Sequence, residues 1–331
     1  MGTRIVRIVR RRNLRRVTSA VCRFVTVCGC IFHRLWTPDS RVMLSFRYIG
    51  GGNFGDAVNV VFWETVIGSP LRLNKIDELH YITTGSIMSF VTPKSIVFGT
   101  GFLRSNSDIG SGWFNGIPNK VYCKPKEVIA VRGPLTRQKL LTFGIPCPEQ
   151  YGDPLILFPA IYPVQQIVTQ PIVGILPHYS DVGHPNLRLL TLNLTAAGFQ
   201  VKSLDIETGN NYTKLLDGIN SCQYLISSSL HGMMMGLLYK KRTVYTHFSG
   251  SLIGGEFKFD DFFASLSITY TRKNDYTAEV LQNTISVDYD VLVERGLNLI
   301  RICPFLSEER KATLMSTYAA FYDASSKVGT I

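Results

Sequence analysis

The sequence predicts an α/β protein built from two doubly wound, Rossmann-like domains that face a cleft. Three observations carry that expectation. From Val42 onward, short apolar runs rich in β-branched residues alternate with segments of helical period, as a parallel sheet with crossover helices requires. The alternation stops at a charge-free connection, Pro159 to Pro171, and then starts again. The 331 residues give room for two domains at about 150 residues each.

In order, the first half offers strands at Met43 to Tyr48, Ser95 to Phe98 and Glu127 to Val131, each running into a Gly-containing turn. A helix begins near Asp56, with Val60, Val61, Glu64 and Ile67 at helical spacing. A second starts at Pro134 and stops at Gly144, residues suited to a first helical position and to the position just past the end. In the second half, strands are expected at Ile172 to Leu176, Gln200 to Asp205, Tyr224 to Ile226 and Thr243 to Thr246. Helices are expected at Leu187 to Ala197, around Lys214 to Asn220 and from Leu230. A last helix, capped by Ser307, runs to about Tyr322 and would pack back on the first domain. The domain assignment is a leader at 1–38, an N-terminal domain at 39–160, a C-terminal domain at 161–305 and the returning helix at 306–331.

Composition narrows the function. Hydrophobic residues make up 45% and charged residues 18%, which excludes a disordered chain and a multi-span membrane protein. The net charge of +11 is not a nucleic-acid signal, because residues 1–38 hold nine Arg and no Lys, Asp or Glu, leaving 26 basic against 24 acidic residues thereafter. The basic leader carries an apolar run, Phe24 to Phe32, too short to span a bilayer. It reads as a segment lying on an anionic membrane surface, with a disordered start and an organellar transit peptide as alternatives. The expected location is cytoplasmic, peripheral on the inner face of the membrane. Seven scattered Cys without any C-x-x-C point to free thiols, with no disulfides, no structural zinc and no other metal site.

In doubly wound sheets ligands bind beyond the carboxyl ends of strands, so the turns there are the candidate sites. Gly50 to Asp56 is Gly-rich and opens a helix, so its backbone N–H groups, with Asn53 and Gly55, suit an anion. Asp56 is either a helix cap or a base. Arg132 stands at a strand end before a helix, where a guanidinium can grip carboxylate or phosphate. Asp153 sits in the turn Tyr151 to Pro154, and His178 follows Ile172 to Leu176. Ser227, Ser228, Ser229 and His231 form the fullest cluster, hydroxyls for phosphate beside an imidazole for proton transfer. The stretch Phe248 to Asp261 reads as a Gly-rich loop, a lid that brings Lys258 to the cleft. No Walker A loop, H-E-x-x-H, G-x-S-x-G elbow or kinase signature is present, which removes kinases, zincins and α/β-hydrolases.

Taken in order, Gly-Gly-Asn-Phe-Gly-Asp (51–56), Val-Arg-Gly-Pro-Leu-Thr (131–136), Tyr-Gly-Asp-Pro (151–154), Gly-Ile-Leu-Pro-His-Tyr (174–179), Ser-Ser-Ser-Leu-His-Gly (227–232) and Gly-Gly-Glu-Phe-Lys-Phe-Asp-Asp (254–261) resemble the polysaccharide pyruvyl transferase family. The resemblance is greatest to the exopolysaccharide ketal-pyruvate transferases of the succinoglycan type. It implies a glycosyltransferase-B-like domain pair, phosphoenolpyruvate as donor, no cofactor, and a terminal sugar, often on a lipid-linked oligosaccharide, as acceptor. One departure stands out: many family members carry Arg two residues before the motif histidine, where this chain has Ser229. Arg104 and Lys258 are the candidate replacements.

On that basis His231 is the expected general acid/base. Arg132 and the turn Ser227 to Ser229 hold the donor's carboxylate and phosphate, with Asn53, Gly55, Arg104 and Lys258 beside them. His178 assists or meets the acceptor, and Asp56 or Asp153 takes the proton of a sugar hydroxyl. The competing readings are a nucleotide-sugar-dependent glycosyltransferase of the same shape, a dinucleotide oxidoreductase resting on Gly50 to Gly55, and a non-catalytic membrane scaffold.

Overall fold

The computed structural model describes residues 45–47, 54–73, 78–107, 109, 113–114, 117–118, 123–164, 171–207, 211–250, 254–271 and 274–326. The leader, Gly50 to Asn53 and the centre of the Pro-punctuated connection therefore lie outside the described residues. Met43–Ile331 forms one compact unit that contains two parallel sheets.

The chain enters with β1 (Ser45–Arg47), helix α1 (Phe54–Ile67), β2 (Arg72–Leu73), β3 (His80–Ile82) and β4 (Ser95–Phe98). A short antiparallel pair follows, β5 (Trp113–Phe114) and β6 (Ile117–Pro118), then β7 (Glu127–Ala130), α2 (Pro134–Thr142) and the single-turn α3 (Phe158–Ile161). The second half runs β8 (Ile172–Leu176), α4 (Pro185–Ala196), β9 (Gln200–Ser203), α5 (Tyr212–Asn220), β10 (Tyr224–Ser227), α6 (Leu230–Leu238), β11 (Arg242–Tyr245) and α7 (Phe257–Ser265). Helices α8 (Tyr289–Ile302) and α9 (Glu308–Ser326) complete it.

The first sheet has the order β2-β1-β3-β4-β7 and the second β11-β10-β8-β9, with every neighbouring pair parallel. Each order contains a reversal. From β1 the chain goes first to one side and then to the other, and from β8 it does the same, so the crevices open between β1 and β3 and between β8 and β10. Strands β4 and β8 are buried on both faces, which is why they read as unbroken apolar runs.

Alternation along those strands divides the core. Val97 joins one cluster and Phe98 another, just as Ile226 and Leu225 separate. The largest cluster gathers Phe54, Phe62 and Trp63 of α1, Phe98 and Phe158, Met233 to Met235 of α6, and Tyr318 and Phe321 of α9, so both sheets share one apolar interior. Ser307 Oγ accepts from Arg310 N–H at 3.2 Å and caps α9, and the Arg310 side chain reaches the end of α1, donating to Val66 O at 2.7 Å and Thr65 O at 2.6 Å. Those carbonyls are ones a helix leaves unfilled, and α1 has no basic residue in its own last turn to serve them.

The structure corrects one expectation: Phe257 to Asp261 is not loop but the beginning of α7, whose Phe259, Phe262 and Phe263 face the core. Among the described residues no helix is long and apolar enough to cross a membrane.

Candidate active site

Two histidines, His178 and His231, stand just past the carboxyl ends of β8 and β10. Helix α1 begins at the crevice of the first sheet, and its Phe54 N–H donates to Ile206 O, in the turn after β9, at 2.8 Å. That bond brings Gly55 against α6, where the imidazole of His231 lies directly on the glycine: a Cβ built on Gly55 would overlap the ring, standing 2.6 Å from His231 Cγ and nearer still to Nδ1 and Cε1. Only the absence of a side chain at 55 leaves His231 its place. The residue as a whole is half-buried, yet its Nε2 is shut from solvent and has no hydrogen-bond partner among the described residues. A buried polar atom without a partner costs stability, so its direction is a structural signal.

His178 stands at the crevice of the second sheet, just past β8. Its Nδ1 accepts from Ser180 N–H at 3.3 Å and meets Ser180 Oγ at 2.7 Å. A backbone N–H can only donate, so in the neutral ring the proton sits on Nε2. The backbone N–H of His178 donates to Ser228 Oγ at 2.8 Å, and Ser228 Oγ–H donates to Asp181 Oδ2 at 2.6 Å; Ser249 Oγ–H donates to Asp181 Oδ1. Asp181 thus ties the turns after β8, β10 and β11 together. Ser227 is equally occupied, its hydroxyl donating to Leu176 O at 2.7 Å and accepting from Ser229 N–H at 3.1 Å. Ser229 caps α6 by position without a side-chain cap bond, so its hydroxyl and the N-terminal N–H groups of α6 remain available to an anion.

Cations frame both rings. Burial drives His231 down to about 3, and the positive charges of Lys258 and Arg132, with His178, press in the same direction. Burial also takes His178 down to about 4, again with Lys258 as the leading charge and Asp181 opposing. Both imidazoles are therefore neutral at physiological pH. Lys258, in the first turn of α7, is itself nearly buried, and its ammonium lies 5.4 Å from the centre of the Phe259 ring.

The other expected site residues stand as follows. Arg132 has no exposed surface and all three of its nitrogens are engaged, by Asp261, Ser86 and Phe102. Asp153 is also fully buried: Oδ1 accepts from Leu155 N–H at 3.1 Å and Oδ2 from Gly85 N–H at 3.4 Å. Burial lifts its carboxyl to about 6 against the opposing pull of the Leu155 hydrogen bond and of Arg132. Arg104 is exposed in a turn where its backbone N–H donates to Ser107 Oγ at 3.1 Å. Asn53 and the side chain of Asp56 lie outside the described residues. The structure therefore brings together Gly55, His178, Ser228, Ser229, His231 and Lys258, with Arg132 immediately behind them.

Three features escaped the sequence. Asp261 is the partner of Arg132, and the signal for it was the acidic pair one turn after Lys258. Thr84, after β3, and Thr246, after β11, each bury a hydroxyl oxygen that has no partner among the described residues, like His231 Nε2. All three atoms lie just beyond the carboxyl ends of strands, the place a doubly wound sheet reserves for its ligand. The family model described as "Polysaccharide pyruvyl transferase" matches residues 48–246. No curated protein matches the chain.

Proposed function

Because the chain belongs to the polysaccharide pyruvyl transferase family, a family of transferase enzymes, we propose that it moves the pyruvyl group of phosphoenolpyruvate onto a sugar of a polysaccharide or lipid-linked oligosaccharide. The product is a cyclic pyruvate ketal and the leaving group is inorganic phosphate. The observation that carries this reading is His231: a neutral Nε2 with no partner among the described residues, held near the charges of Lys258, Arg132 and His178 in the first turn of α6, just past β10.

The reaction needs three things of the protein. C3 of the donor must gain a proton, which makes C2 an oxocarbenium-like electrophile. One sugar hydroxyl then bonds to C2 as its own proton leaves. The C2–O bond to phosphate breaks, and a second hydroxyl closes the ring and loses its proton. His231 Nε2 is suited to carry a proton between hydroxyl and C3. Burial first, and then the neighbouring cations, keep that nitrogen unprotonated. The negative charges of the donor oppose them, so donor binding raises the basicity of the ring that must work on it. His178 offers Nε2–H as a fixed donor to a developing charge. Ser229 and the N-terminus of α6 suit the phosphate, and Lys258 supplies the cation that Ser229 does not. Arg132 serves from behind, through its field and through the contacts it organises.

The reading includes a glycosyltransferase-B-like two-domain arrangement, action in cell-envelope or exopolysaccharide synthesis, and attachment of the basic leader to the inner face of the membrane. Calorimetric binding of phosphoenolpyruvate to the full chain, beside UDP-sugars, GDP-sugars and NADH, tests it. Lys258→Gln is the control, because Arg132→Ala would unpair a buried carboxylate. Selective binding of phosphoenolpyruvate, weakened by Lys258→Gln and followed by transfer of donor label to polysaccharide, is the expected result. Preference for a nucleotide-sugar overturns the proposal in favour of glycosyl transfer.

A further inference from the structure

Helix α7 is anchored at its fifth residue. Asp261 is completely buried; its Oδ2 accepts from Arg132 Nε–H at 3.0 Å and from Thr136 Oγ1–H at 2.6 Å, and its Oδ1 accepts from Thr136 N–H at 2.8 Å. Thr136 N–H is one of the donors that a helix leaves unfilled at its start, and the N-cap of α2 is Gly133, which has no side chain to fill it. Asp261 therefore caps α2 from another helix. Arg132 extends the same node: Nη1–H donates to Ser86 Oγ at 2.6 Å and Nη2–H to Phe102 O at 2.7 Å, joining the turns that follow β3 and β4. Two glycines permit the close fit. A Cβ on Gly133 would overlap the Asp261 carbonyl oxygen, and one on Gly101 would stand 2.6 Å from Arg132 Cζ.

Stability gives no sufficient reason for this arrangement. Removing both charges from water offsets most of their attraction, and apolar residues of similar volume would hold two helices together as well. What the charge network adds is geometric definition. Lys258 lies three residues before Asp261, one turn back on α7, and its charge is the leading one felt at His178 and at His231. We propose that Asp261 is a positioning residue: the Arg132–Asp261–Thr136 node fixes the rotation and height of α7 and thereby holds the Lys258 ammonium at the histidine pair.

The test has one arm that needs no donor and one that rests on the proposed function. In the first, the full chain and Asp261→Asn are acetylated below their melting temperatures and lysine labelling is read by mass spectrometry. Lys258 is nearly buried and is expected to gain about tenfold in labelling, while half-buried Lys241, just before β11 and bonded through Nζ to Asn220 O at 2.8 Å, stays at its wild-type rate. In the second, calorimetry measures phosphoenolpyruvate binding. Lys258→Gln and Asp261→Asn should each weaken it about tenfold, and the double variant should be no weaker than Lys258→Gln alone. A purely structural Asp261 would lower the melting temperature and add its effect to that of Lys258→Gln.

Unchanged Lys258 labelling in Asp261→Asn overturns the proposal, as does a rise shared equally by Lys241 or full additivity in donor binding. If Lys258→Gln leaves donor binding untouched, the donor reading fails and the labelling arm alone decides the positioning role. Thr136→Val keeps both buried charges and removes one bond to Asp261; should Asp261→Asn not fold, it must show a smaller rise confined to Lys258, and no rise overturns the proposal.

Discussion

Gly55→Ala is a sharp perturbation, because it adds a single methyl group where the His231 ring lies against the backbone. The added carbon would stand 2.6 Å from His231 Cγ, where ordinary contact begins at 3.4 Å. The ring must therefore retreat by about 0.8 Å at Cγ, and further at Nδ1 and Cε1, which lie closer. A displacement of about 1 Å in a catalytic group costs on the order of 100-fold in rate. Stability should move much less. Alanine gains about 1 kcal/mol over glycine in a helix, and overpacking costs about 1–3 kcal/mol, so the net is within about 2 kcal/mol and a few degrees of melting temperature. The assay is transfer of label from phosphoenolpyruvate to polysaccharide beside calorimetric donor binding, and the expected pattern is a loss of roughly 100-fold in turnover with a near-wild-type melting curve. On a His231→Gln background the same methyl should have little further effect, since the group it displaces is gone. Turnover by Gly55→Ala within a few-fold of wild type would refute the assignment of His231 as the acid/base.

Three further outcomes follow from the same geometry. Acid should destabilise the fold: His178 and His231 are held at about 4 and about 3, so below the ordinary histidine value of 6.5 the unfolded chain binds protons that the folded chain refuses. Asp153, raised to about 6, opposes them between its ordinary value of 3.8 and 6, leaving a net loss of about 1.4 kcal/mol per pH unit from pH 6 to 4, to be read from urea melts of wild type and of His178→Gln, which should flatten the slope. Arg310→Ala removes two bonds to the end of α1 and should cost about 1–3 kcal/mol in thermal unfolding while phosphoenolpyruvate affinity stays unchanged. Calorimetry of donor binding in buffers of different ionisation enthalpy should show more proton uptake in wild type than in His231→Gln, because the donor's charge offsets the cations that add to burial in keeping Nε2 unprotonated.

How much of this was legible depends on how local each cause is. Ser95–Phe98 and Ile172–Leu176 announce themselves because burial on both faces demands an unbroken apolar run. His80–Ile82 does not, since His80 is tolerated inside through contacts that the local sequence does not show, among them Nε2 with Ser95 Oγ at 2.7 Å across the parallel pair and Nδ1 with Glu78 O at 2.9 Å. Arg72–Leu73 is too short to carry a period. Helix α7 was hidden behind Gly254 and Gly255 and lacks a side-chain cap bond, although Phe259, Phe262 and Phe263 spell its spacing. Tyr289–Ile302 was legible and went unread: Asp288 caps it, and Leu292, Gly296, Leu299 and Ile300 form its buried stripe. The histidines were found because the strand-end rule is topological and needs only the order of elements. The partner of Arg132 was not, because it stands 129 residues away and nothing near Arg132 implies a buried carboxylate.

The same asymmetry explains why the site is assembled as it is. Two neutral imidazoles feel the charge of Lys258, and His231 Nε2 has no hydrogen-bond partner among the described residues, so on the proposed function these groups are better satisfied by an anion than by the protein itself. On the proposed function, the charge of an anionic donor opposes those cations and returns to His231 Nε2 the part of its basicity that the cations remove. On the proposed function, protonation of C3 needs a proton at that atom only once the donor is in place, so the couple between binding and protonation ties the acid to its substrate. If proton uptake on donor binding were identical in wild type and His231→Gln, the cations would be serving affinity alone, and the acid would have to be sought at His178 Nε2.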